Sequence, residues 1–217
     1  MSKELTTDVA KQIAADLKAS AQMVEAPAVE RIRMSPKGFT LPDGTTGDSI
    51  KCVILGFASA NAHYPNAYDP DNPAGPDCWA VGYSPNQLAP HDSSEKKYAD
   101  TCAPCPNNQF GSAKVGAGKA CKNTRKLAVL QLNGAEDASL MELSIPPSSI
   151  KYFDTYVSTT LRNRFQLPPS AVVTEIFMDD KVTYAAPRFK MDRPLDEKEL
   201  QFFYSRKAEA DDFLIPA

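Results

Sequence analysis

Four cysteines inside a stretch that cannot build a core constrain this chain more than any other feature. Residues 61–126 are rich in Pro, Asn, Gly and Tyr and poor in aliphatic side chains, as in Asp69-Pro70-Asp71-Asn72-Pro73-Ala74-Gly75-Pro76. Such a segment stays disordered unless something other than apolar burial orders it. Cys78, Cys102, Cys105 and Cys121 fall inside it with the spacing C-x23-C-x2-C-x15-C. The gap in Cys102-Ala103-Pro104-Cys105 lets two thiolates grip one tetrahedral ion, and the distant Cys78 and Cys121 complete a set of four. Soft thiolates at a closed site favour Zn²⁺ over hard cations. A structural zinc contributes folding free energy on the order of 10 kcal/mol. The expectation is a structural zinc that orders the insertion.

Other uses of these thiols remain open at this point. His91 lies between the cysteines and is an alternative to Cys78 as fourth ligand. A redox Cys-x-x-Cys sits at a helix start in a βαβ unit, which nothing around Cys102 suggests. Disulfides require an oxidising compartment. The fifth cysteine, Cys52, lies in an apolar run and reads as a buried core thiol.

The remainder has periodic structure. Residues 1–27 read as an N-terminal helix with Thr7 as cap, a narrow stripe of Val9, Ile13, Leu17, Ala21 and Val24, and Pro27 as its end. That stripe suits packing on the body or self-association into a homo-oligomer. Residues 28–206 read as the body. Strands are expected at Arg31–Met34, Ile50–Phe57, Leu127–Leu132, Leu140–Ile145, Val172–Met178 and Val182–Tyr184, with turns at Pro42-Asp43-Gly44 and Asn133-Gly134. Helices are expected from Ser148 or Ser149 through Leu161, and from Leu195 to Arg206. The fold class is mainly β: an OB-like antiparallel barrel with a zinc-binding insertion at 61–126, few helices, and an acidic tail at 207–217.

Charge is divided unevenly along the 217 residues. The formal net charge is −3, which by itself argues against nucleic acid. Yet Lys96 to Lys126 carries seven basic residues against one acid, Asp100. Such a patch holds phosphates by displacing counterions; the plainer reading is a solvated lysine-rich loop. Lys114, Lys119, Lys122, Arg125 and Lys126 are the phosphate candidates. Tyr64, Tyr68 and Tyr83 are the first candidates for stacking bases of a single strand. Trp79 and Phe110 either stack or pack on the cysteine knuckle. From Asp192 onward there are seven acids against four bases. The end, Asp211-Asp212-Phe213-Leu214-Ile215, reads either as a frayed terminus or as a detachable peptide that recruits partner proteins.

Several function classes are disfavoured. No apolar run approaches the roughly 18 residues of a membrane span, and Met1-Ser2-Lys3-Glu4 lacks the plan of a signal peptide, so a cytoplasmic location is expected. Gly111 to Lys119 is not a Walker loop, because Ala113 and Ala120 replace its Gly and Ser/Thr. A zinc deaminase needs His-x-Glu and Pro before its Cys-x-x-Cys; His63 and His91 lack the Glu, and Thr101 precedes Cys102. An enzyme is not expected.

The Tyr64-to-Cys78 lead-in, Cys102-x-x-Cys105-Pro106-x-Asn108, and Phe110-Gly111-Ser112…Gly118-Lys119-Ala120-Cys121-Lys122 resemble tailed-phage proteins encoded near replication genes. The overall plan is similar to phage single-stranded DNA-binding proteins. That resemblance implies an oligonucleotide-binding barrel with an inserted zinc knuckle, sequence-tolerant binding during DNA replication or recombination, and residence in the host cytoplasm. It also implies that the acidic-apolar tip recruits replication or recombination proteins. The zinc-bearing members use a histidine among their ligands, whereas here four cysteines suffice. A zinc-stabilised adaptor for a host or replication protein, and a virion structural protein, are the competing readings.

Overall fold

One strand organises the chain. Ser49–His63 is the fourth in sequence, β4. It follows β1 (Arg33–Ser35), β2 (Gly38–Thr40) and β3 (Thr46–Gly47), and precedes β5 (Cys78–Gly82), β6 (Cys121–Gln131), β7 (Met141–Ile145), β8 (Val172–Met178) and β9 (Pro187–Pro194). The helices are α1 (Pro147–Thr155), which runs on into a wider π-helical segment Tyr156–Phe165, then α2 (Glu197–Ser205) and α3 (Lys207–Leu214). This computed structural model describes residue 12 and residues 29–215, apart from 68, 70 and 133–138. Met1–Glu30 is a unit of its own. The expected helix at 1–27 lies outside the described residues save for Gln12, which is helical. The expected Asn133-Gly134 turn lies outside them as well.

The chain is mainly β, and its sheets are antiparallel. The large sheet runs β7-β6-β4-β8-β9, and β5 pairs with the far half of β4. Among the described residues no strand pairing joins β7 to β9. The outer edge of β7 instead receives Ile32, whose N–H donates to the Glu142 carbonyl at 2.9 Å. β1, β2 and β3 form a separate three-stranded sheet.

Both faces of β4 are covered, as alternation of apolar side chains requires. Ile50, Cys52 and Ile54 join Leu127, Val129, Leu143, Ile145 and Ile176 beneath Phe39 and Phe153. Val53, Leu55 and Ala58 face the other way, toward Leu195, Phe203, Ala210 and Leu214. A bulge shifts the register between Ile54 and Gly56. Gly56 lies directly under α3: a Cβ there would meet Leu214 Cδ1 at 3.1 Å. α2 starts on a capping box read directly from Asp196-x-x-Glu199, in which Asp196 accepts from the Glu199 N–H at 2.8 Å and Glu199 accepts from the Asp196 N–H at 3.0 Å.

Three expectations are corrected. Val182–Tyr184 is not a strand; the strand is Pro187–Pro194, whose bounding prolines suit an edge position. β4 and β6 reach further into the insertion than Ile50–Phe57 and Leu127–Leu132. Small residues alternate with polar ones in Ala58-Ser59-Ala60-Asn61-Ala62-His63, and pairing on both edges holds them extended. Residues 207–214 are helical, not a free tail. Ala210 and Leu214 are buried, Phe213 and Ile215 pack beside them, and of the expected tip 211–215 only Asp211 and Asp212 are exposed. Leu214→Ala is therefore expected to cost about 3 kcal/mol and lower the thermal midpoint on the order of 10 °C, checked by calorimetry. Among the described residues no helix is long and apolar enough to cross a membrane.

Candidate metal centre and adjoining groove

Sheet register brings the cysteines together. At the far end of β4, His63 stands opposite Cys78 of β5 and Cys121 of β6. Directly opposed residues project to one face, so all three share it. Cys102 and Cys105 arrive from the irregular chain between β5 and β6. The Cys102 N–H donates to the Leu88 carbonyl at 2.8 Å, and the Asn108 N–H donates to the Cys105 carbonyl at 2.9 Å. Gln109 Nε2 donates to the carbonyls of Ala103 and Cys105 at 2.8 and 3.0 Å. A short 3₁₀ turn, Pro106–Asn108, closes the knuckle.

All four thiols are buried and free, and they line one cavity of about 10 Å³ together with Asn61 and His63. That is space for one small sphere. Apolar support is slight: Leu88 is the single buried aliphatic residue of the described segment 83–120, packed on Ala80 and Cys102. Burial pushes the Cys121 thiol up to about 12, and the neighbouring Cys102, Cys105 and Cys78 add to the effect. Burial likewise raises Cys102, reinforced by Cys78 and Cys105 and opposed by a hydrogen bond from Asn61. Four thiolates cannot share this space unless a cation offsets their charge. As the chain stands, no group of three or more described Cys, His, Asp or Glu side chains is set to hold a metal. In kind, however, the donors fit zinc: soft, buried, unpaired with one another, and disposed around an ion-sized space.

Around the thiols lies a polar belt that the sequence reading did not single out. His63 Nδ1 is 2.8 Å from Asp77 Oδ1, and Tyr98 Oη donates to Asp77 Oδ2 at 2.5 Å. Burial pushes Asp77 up, but the hydrogen bonds from Tyr98 and His63, with the charge of Lys96, outweigh it and hold the carboxyl below its ordinary value. His91 stacks on Trp79 with ring centres 3.9 Å apart and does not line the cavity. Cys52 is wholly buried in the sheet core, and burial pushes its thiol up to about 12.

Beside the cavity, on the same sheet face, runs a groove of about 750 Å³. Its floor is Ser59, Asn61, Asn123 and Arg125. The knuckle supplies Phe110, Val115 and Lys119 on one side, Lys122 follows at the start of β6, and α1 supplies Ile150, Lys151 and Asp154 on the other. Phe110 is 83 % exposed, so it stands outside the knuckle's packing. The Lys119 ammonium lies 5.1 Å from its ring centre. Arg125 reaches Asp154 across the floor at 3.4 Å.

The expected nucleic-acid residues divide accordingly. Lys119, Lys122 and Arg125 line the groove. Lys114 donates to the Pro65 carbonyl at 2.8 Å, and Lys126 pairs with Glu142 at 3.2 Å; neither lines the groove. Tyr64 is exposed elsewhere. Tyr68 lies outside the described residues. Tyr83 donates to Asp211 Oδ1 at 2.7 Å, tying α3 to the strand-β5 end; burial, with Asp211 adding, pushes its phenol up to about 12. Lys151 was missed because it is distant in sequence and its helix reads only as a core element. Comparison with known proteins finds no matching family model, curated protein or solved structure.

Proposed function

We propose that the chain binds single-stranded DNA non-enzymatically and with little sequence preference, its groove built on a structural zinc. The observation that carries this is the meeting of Lys119, Lys122, Arg125 and Lys151 with the exposed ring of Phe110 in one groove. Cations along a channel hold successive phosphates, and an aromatic face accepts any base at roughly 1–3 kcal/mol per stack. A paired duplex hides its base faces, so the exposed ring favours a single strand. Cys78, Cys102, Cys105 and Cys121 would hold the zinc. Four thiolates leave no open coordination position for water, so its contribution is to the fold rather than to chemistry.

The test is anisotropy of a labelled oligothymidylate titrated with the zinc-loaded chain at several salt concentrations. Three or four engaged cations predict a log–log salt slope of about −2 to −3. No binding at low salt overturns the proposal.

A further inference from the structure

The cavity and the groove share a wall: Asn61, Asn108 and Cys121 line both. Asn108 is 8 % exposed, and both ends of its side chain are engaged. Nδ2 donates to the Cys102 carbonyl at 2.8 Å, while Oδ1 accepts from Lys119 Nζ at 3.3 Å. Its backbone N–H donates to the Cys105 carbonyl. A second link runs through Asn61, which lines the cavity together with Cys102 and accepts from Asn123 Nδ2 on the groove floor.

We infer that Asn108 is a positioning residue that couples the cysteine centre to the groove, so that metal and single strand bind cooperatively. This deepens the single-strand reading and rests on it. Ligation of Cys102 and Cys105 fixes the two carbonyls from which Asn108 takes its place. Asn108 in turn holds the Lys119 ammonium beside Phe110, where a phosphate and its base would meet. A lysine without that acceptor is a solvated charge on a flexible stem, and ordering it becomes part of the cost of binding. Linkage then requires that metal strengthen polymer binding, and polymer strengthen metal binding, by the same factor.

The experiment uses zinc-loaded full chain and labelled oligothymidylate. Asn108→Ala is expected to retain its zinc and to bind on the order of tenfold more weakly, with a salt slope shallower by about 0.7, the loss of one phosphate contact. Lys119→Gln should show the same loss, and adding Asn108→Ala to it should change nothing further. A full additional loss in the Lys119→Gln background overturns the inference, because Asn108 would then act on folding generally. A second measurement needs no variant. Saturating oligothymidylate should raise the chelator concentration that strips zinc from the wild-type chain by about the factor by which zinc strengthens oligothymidylate binding. An unchanged stripping curve overturns the coupling while leaving the groove reading intact. A wild-type chain that ignores oligothymidylate at low salt overturns both.

Discussion

Removal of the proposed zinc is expected to unfold residues 83–120 locally while the sheet survives. The argument compares two sources of stability. β4, β6 and β8 carry apolar clusters on both faces, with Val53, Ile54, Leu127, Val129 and Ile176 almost wholly buried. Nothing in those clusters depends on the cysteine centre. The segment between β5 and β6 has Leu88 as its one buried aliphatic side chain among the described residues, and otherwise turns and carbonyl-directed hydrogen bonds. Zinc held by four thiolates supplies on the order of 10 kcal/mol. That is comparable to the whole stability of an ordinary domain, and in the proposed site it would act on the part with least of its own. Hydrogen exchange read by mass spectrometry, before and after complete chelation, checks this. Amides of Cys102 and Asn108 should lose protection by several orders of magnitude, while those of Val53 and Val129 keep theirs. The paired replacement Cys102→Ser with Cys105→Ser should reproduce the pattern without chelator. Unchanged protection in a demonstrably metal-free chain would show that the knuckle folds on hydrogen bonds alone.

How much of this was legible in the sequence depended on the range of the interaction involved. Val172–Met178 is a strand as expected, because a β-branched run bounded by turns is a local signal. The body's antiparallel β-character was readable for the same reason. Ala58 to His63 was not, since small residues carry little strand preference and are extended by partners on both edges. The cysteine spacing marked the four thiols that line one cavity, but not that His63 would stand in register between Cys78 and Cys121. Charge counts located the basic insertion without separating its members. Lys126 looks like Lys122 in sequence, and only the distant Glu142 distinguishes them. The end of the chain misled because Asp211-Asp212 announces solvent. Leu214 follows on the same helix and reaches the core over a glycine far away in sequence, Gly56.

That separation of cations carries the second large effect. Lys119→Glu, Lys122→Glu and Arg125→Glu together should weaken oligothymidylate binding at low salt by at least about 100-fold and flatten the salt slope toward zero. The expected size follows from counterion release: three phosphate contacts account for about 2 units of a single-strand slope, and reversal replaces attraction with repulsion along the floor. Lys114→Glu with Lys126→Glu reverses two further positive charges in the same stretch of sequence. It should leave the slope within a few tenths of wild type, since Lys114 is turned to the Pro65 carbonyl and Lys126 to Glu142. Net charge alone would instead rank the two sets by the charge they alter, with each weakening binding in proportion. Phe110→Ala separates the remaining component: affinity should fall by roughly 1–3 kcal/mol with the slope unchanged, because stacking releases no counterions. Equal losses for groove and off-groove lysines would mean that the strand follows the surface of the insertion rather than the channel between knuckle and α1.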